Sequence, residues 1–310
     1  MEIGNTDIVN VEGIYAKLEC SNPCGSIKDR IAYYILTKSQ KIGILKKGMT
    51  IVEASSGNTG IAISYYGRKM GFPVTIVMPE NMTEERKEII RANGANLILC
   101  SKEGSFAEAA KIRDEMASSP DFFSTDQFSN PLNVECHKLT TGQEIILQMQ
   151  GKRIDAFVAG VGTGGTLIGV GSALKEHFPN IRIVAVEPAE SAVMSGKEPA
   201  PHGIPGIGDG FIPDIVSDGK GGITPLIDEI ITIRSKDAQE AAQMIASEYG
   251  LCVGISSGAN FLAALTLKAR GLQTVTVFPD GFNRYKSLGL SKCKSPACSV
   301  KYDCNEILNY

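Results

Sequence analysis

The chain has 310 residues, of which 43% are hydrophobic and 21% charged, and a formal net charge of −3. That length and composition predict a globular protein with a large core built as two lobes, and exclude a disordered chain. No long basic run supports nucleic-acid or anionic-membrane binding, and no apolar stretch reaches the ~18 residues of a membrane span.

The opening MEIGNTDIVN has neither the charged n-region nor the apolar h-region of a signal peptide, so none is expected. The first motif is Asn22-Pro23-Cys24-Gly25-Ser26-Ile27-Lys28, a turn leading into a helix expected over 26–42. Lys28 falls in the first turn of that helix, a position that disfavours a protonated amine. The bland alternative is a solvated surface lysine. A strand expected over 50–55 runs into Ser55-Ser56-Gly57-Asn58-Thr59-Gly60, which opens a helix over 59–70. Hydroxyls, an amide and exposed N–H groups at a helix start suit a carboxylate; an elaborate N-cap is the alternative. Strands at 74–79 and 96–101 alternate with helices at 83–93 and 105–118, and a polar segment, STDQFSNPLN, leads to a helix over 133–149.

The strand expected over 154–161 ends in Gly160-Val161-Gly162-Thr163-Gly164-Gly165-Thr166, which opens a helix over 165–178. This strand–turn–helix context makes an anion cradle. It also fits a dinucleotide fingerprint: Glu187 ends the next strand, 181–187, and stands 22 residues past Gly165, where a ribose ligand would sit. The Pro- and Gly-rich stretch 188–226 is too long for an ordinary connection and is expected to carry function. Strands at 229–234 and 274–279 flank helices at 236–249 and 257–270. Continuous apolar strands alternating with helices predict α/β layers, doubly wound, with mainly parallel sheets. The expected lobes are 1–135, smaller and mobile, with part of 1–22 packing on the other lobe, and 136–310, larger and holding the cofactor phosphate.

Five of the eight cysteines are scattered, as in a reduced, cytoplasmic protein. Cys293, Cys298 and Cys304 are separated by four and five residues without a nearby histidine, so reduced thiols are expected over a metal or disulfide role. His137, His177 and His202 show no metal spacing, and His137 reads as a packing or capping residue.

With Lys28, SSGNTG, GTGGT, GISSGA at 254–259 and PDGFNRY at 279–285 in order, the chain resembles the cysteine synthase (O-acetylserine sulfhydrylase) and cystathionine β-synthase family of fold-type II pyridoxal-phosphate enzymes. The resemblance implies a tryptophan synthase β-like architecture, a cytoplasmic homodimer and pyridoxal 5′-phosphate as cofactor. Lys28 would carry it as an internal aldimine. Ser55, Ser56, Thr59 and Gln127 would grip the substrate α-carboxylate, and Asn58 the cofactor 3′-oxygen. Gly162, Thr163, Gly164, Gly165 and Thr166 would cradle the 5′-phosphate, and Ser256 would face the pyridine nitrogen. A hydroxyl there leaves the ring a weaker electron sink, which favours β-elimination. The implied reaction is β-replacement through an α-aminoacrylate: O-acetylserine plus sulfide giving cysteine. The alternative starts from cysteine, releasing sulfide and giving serine, cystathionine or lanthionine; a nicotinamide-dinucleotide oxidoreductase is the remote one. Partners would be a small amino acid and sulfide or a thiol. Asp7 and Cys24 depart from the family pattern, as does Asp209 in GIGDGF, where cysteine synthases carry a small apolar residue. Asp209 is either a turn aspartate or a second catalytic group that takes a proton from an incoming water or thiol.

Overall fold

The computed structural model describes residues 2–55, 57–101 and 105–290. Ser56 and the tail thiols Cys293, Cys298 and Cys304 lie outside the described residues. The chain divides into two compact units, residues 28–132 and residues 1–27 joined by the chain from 133 onward. The division falls after Leu132, against an expected lobe boundary at 135/136.

The first elements are a hairpin that the sequence reading did not anticipate, β1 (Ile8–Val11) and β2 (Ile14–Leu18), antiparallel with Val11 opposite Ile14. Its turn puts Glu12 at φ 51 and Gly13 at φ 77. Two central residues at positive φ make the turn whose twist matches that of the strands. Glutamate adopts that conformation with difficulty, so Glu-Gly carries a weaker hairpin signal than Asn-Gly.

The smaller unit contains helices α1 (Lys28–Lys41), α2 (Asn58–Lys69), α3 (Glu84–Ala92) and α4 (Ser105–Ala117). Its strands are β3 (Thr50–Ala54), β4 (Val74–Pro79), β5 (Asn96–Cys100) and β6 (Phe122–Ser124), in one parallel sheet of order β5-β4-β3-β6. β6 was not anticipated because three residues are too few to register as an apolar run. All six residues of β4 are buried, as in a strand covered on both faces. Val52, Ala54 and Val77 pack with Cys100 and with Ala109 of α4.

The remaining elements are α5 (Pro131–Leu139), α6 (Thr141–Gln148), β7 (Ala156–Gly160), α7 (Gly165–His177), β8 (Arg182–Pro188), β9 (Glu229–Ile233), α8 (Ser235–Tyr249), α9 (Ile255–Ala269) and β10 (Thr274–Phe278). The helix expected over 133–149 is therefore two. They part at Thr140, whose hydroxyl donates to the Cys136 carbonyl at 2.7 Å, a back-bond that bends helices. The sheet of the larger unit runs β1-β2-β10-β7-β8-β9, parallel except for β1 against β2. Successive side chains enter opposite cores. Ala156, Val158, Val184 and Val186 pack with Ala242 of α8 and Phe261 of α9. Phe157, Ala159, Ile183 and Ala185 pack with Ile145 of α6 and Leu167 of α7. Adjacent β7 and β10 both end where an irregular loop begins, the end of a parallel sheet at which α/β folds bind ligands.

Candidate active site

In the larger unit, β7 runs into the glycine-rich loop and then α7, whose first-turn N–H groups have no helical acceptor. The glycines are required by contact. A Cβ on Gly162 would lie 2.4 Å from the Gly206 carbonyl oxygen, and one on Gly165 would lie 1.9 Å from Asn133 Oδ1. Gly164 has φ +87, and its Cβ would meet Val216 Cγ1 at 2.3 Å. A backbone pressed so closely on its support can turn its N–H groups outward, and the dipole of α7 favours an anion there.

The support is polar. Asn133 Nδ2 donates to Thr163 Oγ1 at 3.0 Å, and the Gly165 N–H donates to the same oxygen at 3.3 Å. Thr166 Oγ1 is hydrogen-bonded to His137 Nε2 at 3.2 Å, and His137 Nδ1 to Thr141 Oγ1 at 2.9 Å. His137 is fully buried. Packing describes it only in part, because it holds a threonine of the cradle. Asn260 was not anticipated at all. Its Oδ1 accepts from the Gly160 N–H at 2.8 Å and its Nδ2 donates to the Val277 carbonyl at 2.9 Å, tying the end of β7 to β10. Asn133, His137 and Thr141 recur at intervals of four, a one-face spacing that could have revealed them.

α9 begins at Ile255 rather than at 257, so buried Ser256 lies in its first turn. The Gly254 N–H donates to the Asp280 carbonyl at 2.9 Å, and the Tyr285 hydroxyl donates to the Asp280 carboxylate. Residues 280–285 thus brace the turn that presents Ser256. Asp209 lies in a loop fixed from both sides: the Gly208 N–H donates to the Val161 carbonyl at 2.9 Å, and the Gly208 carbonyl is hydrogen-bonded to His202 Nε2 at 2.8 Å. A Cβ on Gly162 would stand 3.7 Å from Asp209 Oδ2, so this carboxylate borders the cradle. The turn around Gly25, at φ +77, is locked by Arg284, which donates to the Gly25 carbonyl at 2.8 Å and to the Cys24 carbonyl.

In the smaller unit, Lys28 is half-buried and is the first residue of α1. Next to it Asp29 is fully buried and accepts from the Tyr66 hydroxyl at 2.7 Å. The polar loop after β3 folds around Ser55. Its Oγ accepts from the N–H groups of Gly57 at 3.1 Å and Gly60 at 2.8 Å, so Ser55 does cap the loop. Thr59 donates to Gln127 Oε1 at 2.6 Å, and Gln127 Nε2 donates to the Ala54 carbonyl at 3.3 Å. Both side chains are buried. Ser55, Thr59 and Gln127 are thereby brought to one place, with Asn58 opening α2 beside them.

The rival dinucleotide reading fails on Glu187. Its carboxylate is buried and accepts from the Met194 N–H at 2.9 Å and the Ser195 hydroxyl at 2.5 Å. It caps a turn of its own loop, which leaves the supposed ribose ligand occupied.

A family model described as "Pyridoxal-phosphate dependent enzyme" matches residues 1–280. A cysteine synthase of Staphylococcus aureus is 43% identical over 299 residues, covering 93% of this chain and 94% of that protein. A hydrogen sulfide-producing enzyme from Fusobacterium nucleatum is 42% identical with a TM-score of 0.86, covering 99% of this chain and 93% of its own. An aspartate-to-asparagine variant of it, in complex with an α-aminoacrylate intermediate, aligns with a TM-score of 0.85 at 43% identity, covering 96% and 92%. A cysteine synthase from Entamoeba histolytica is 39% identical with a TM-score of 0.86, covering 99% and 92%. The glycine-rich cradle with its two threonine hydroxyls at the start of α7 suits a phosphate, a lysine opens α1, and both agree with the family match: the chain belongs to the pyridoxal-phosphate dependent enzymes and is of the cysteine synthase type.

Proposed function

We propose that the protein catalyses β-replacement on a cysteine- or serine-type amino acid, in its simplest form O-acetylserine plus sulfide giving cysteine plus acetate. The observation that carries the reading is the cradle, where Gly162, Gly164 and Gly165 leave no room for a Cβ at the start of α7. With Thr163 and Thr166 they would hold the 5′-phosphate. Ser256 would face the pyridine nitrogen, Asn58 the 3′-oxygen, and Lys28 Nζ would hold the cofactor covalently. When bound, pyridoxal phosphate supplies the electron sink that makes the substrate α-proton acidic and lets the β-substituent leave.

The protein's own residues do the rest. Ser55, Ser56, Thr59 and Gln127 bind the α-carboxylate and orient the α-C–H bond. Lys28 Nζ, as a free amine, would take the substrate α-proton and could return it after the nucleophile adds. The match to cysteine synthases supports this order of events. The same reading carries a homodimer acting in the cytoplasm on small molecules. Among the described residues, no helix is long and apolar enough to cross a membrane.

A second reading has its own observation, the Asp209 carboxylate beside Gly162. A negative group there repels hydrosulfide and can accept a proton from water or a thiol. Cysteine would then be consumed: with water it gives serine and sulfide, with a thiol it gives a thioether and sulfide. The likeness to a hydrogen sulfide-producing enzyme supports this branch. Holoenzyme mixed separately with O-acetylserine plus sulfide, with cysteine, and with cysteine plus a second thiol separates the two. Cysteine formation in the first mixture with no sulfide from the others selects synthesis, and the reverse selects consumption. No product in any mixture overturns both.

A further inference from the structure

An ion pair whose carboxylate is fully buried and whose guanidinium keeps a small exposed edge lies directly behind the polar loop of the smaller unit. Glu53 is the last residue but one of β3, and its carboxylate is completely enclosed. Oε1 accepts from the Ala54 N–H at 2.9 Å and from Arg113 Nη1 of α4 at 3.3 Å. Oε2 accepts from the Thr125 hydroxyl. Arg113 Nη1 also lies 3.2 Å from Asp126 Oδ1, and its Nε donates to Asp114 Oδ1 at 2.7 Å. Burial pushes the Glu53 carboxyl above the usual carboxylate range, while Arg113 and Thr125 pull it back. Enclosing such a pair costs desolvation that apolar side chains of the same volume would avoid, so stability alone does not explain it.

The partners of the pair all lead to one place. Thr125 and Asp126 immediately precede Gln127, and Asp126 holds φ 44, a left-handed conformation that needs external support in a residue with a Cβ. Arg113 supplies that support on the side chain, and Asn130 Nδ2 fixes the Thr125 carbonyl at 2.8 Å. Gln127 then reaches Ala54 and Thr59. Ala54 is therefore held at both ends, its N–H by Glu53 and its carbonyl by Gln127. It is the residue from which the Ser55 loop springs. Glu53 fixes the strand side of the loop and, through Thr125 and Arg113, the 125–127 segment opposite.

We propose that Glu53, with Arg113 and Thr125, is a positioning group that sets the spacing between the Ser55 loop and Gln127, and so tunes the enzyme's affinity for the amino-acid α-carboxylate. This rests on the carboxylate-binding reading of Ser55, Thr59 and Gln127 given above. Glu53 touches neither substrate nor cofactor in this scheme. Weakening one charge-assisted hydrogen bond to the carboxylate costs about 10- to 100-fold in affinity, and that is the scale expected here.

The test uses holoenzyme with O-acetylserine and with L-cysteine. Glu53→Gln keeps the shape but removes the charge facing Arg113 and puts an NH2 donor in place of one acceptor oxygen, so that with the amide oxygen on Ala54 and Arg113 the Thr125 hydroxyl can only accept. Thr125→Val removes the hydroxyl donor to the other oxygen, and Thr125→Ser restores it, so the threonine pair decides the matter if Glu53→Gln does not fold. The expected result is a KM raised about 10- to 100-fold in Glu53→Gln and Thr125→Val, with kcat at saturation and cofactor retention near those of the parent, a lowered thermal midpoint from the buried group left unpaired, and recovery of both KM and midpoint in Thr125→Ser. A KM unchanged in folded Glu53→Gln and Thr125→Val overturns the proposal, as does cofactor loss in parallel with the KM effect, which marks a merely structural pair. If the parent holoenzyme responds to neither amino acid, the functional reading itself falls and takes this proposal with it.

Discussion

Gly165→Ala sets two magnitudes against each other. Gly165 is the first residue of α7, and helix propensity alone favours alanine over glycine by about 0.8–1.0 kcal/mol. The structure predicts the opposite sign. A Cβ would lie 1.9 Å from Asn133 Oδ1, 2.3 Å from Cγ and 2.7 Å from Nδ2, and Asn133 is fully buried with little room to swing aside. Overpacking of this kind costs about 1–3 kcal/mol. If the loop absorbs the shift, cofactor affinity falls by roughly 5- to 150-fold, at 1.4 kcal/mol per tenfold. Asn133→Ala alone loses the bond to Thr163, about 0.5–1.5 kcal/mol. The clash is with atoms that Asn133→Ala deletes, so the double variant should be better than the sum of the two by about 1–2 kcal/mol. The assay is a titration of apoprotein with pyridoxal phosphate, followed by visible absorbance, alongside thermal melts of the apo forms. Cofactor affinity equal to that of the parent in Gly165→Ala, or strict additivity in the cycle, would refute the steric account of the cradle.

Lys28→Ala should abolish turnover, and borohydride treatment of the parent should fix the cofactor on the peptide that contains Lys28; label on any other lysine sinks the assignment. Thr163→Ala should weaken cofactor retention, whereas Gln127→Ala should keep the cofactor and weaken amino-acid binding by about 1.5–3 kcal/mol, the worth of one charge-assisted hydrogen bond. The opposite pattern would exchange the roles of the two loops. On the cysteine-consuming reading, Asp209→Asn should release one equivalent of sulfide from cysteine in the first turnover and then proceed slowly, because there the base serves only the second half-reaction; a linear time course at the parent rate removes Asp209 from the mechanism. Burial, with Asp280 and Glu19 close by, pushes the Cys20 thiol up to about 12. A thiol titrating that high is protonated, and hence poorly reactive, throughout the neutral range. Cys20 is only partly buried, so iodoacetamide at about pH 8 should still label it in the native protein, but far more slowly than in the unfolded chain, and equal rates would contradict the raised thiol pKa.

What the sequence made legible follows the distance over which each signal acts. The cradle could be read because its glycines, its strand and its helix are consecutive, and close backbone approach leaves glycine as the residue that fits. Strands β3, β4, β7, β8 and β10 could be read because both of their faces are buried, so the runs are apolar almost without interruption. β6 fell below the length at which a run is distinguishable. The hairpin β1–β2 was hidden by a lysine as well as by its turn. Lys17 is fully buried, yet its Nζ donates to the Thr6 carbonyl at 2.8 Å and pairs with Glu144 at 2.8 Å, partners from a loop and from α6 that no local pattern announces.

The same reasoning separates the residues that meet the ligands from those that hold them. Lys28, Ser55, Thr59 and Thr163 sit in motifs of a few residues, where chemistry and local backbone shape coincide. Their supports come from elsewhere in the chain: Asn133 reaches Thr163 across 30 positions, and Asn260 reaches Gly160 across 100. Each support is a neutral amide or a paired charge in a buried setting. There a hydrogen bond is strong and an unmade one costly, so geometry is fixed most firmly where water is absent. Glu187 shows the hazard of reading a motif without its supports. Its spacing from Gly165 satisfied a dinucleotide fingerprint, but the groups that claim its carboxylate, Met194 and Ser195, lie in a loop whose path the motif does not encode. For Glu187, spacing proposed a role that the hydrogen bonds its carboxylate already accepts leave closed.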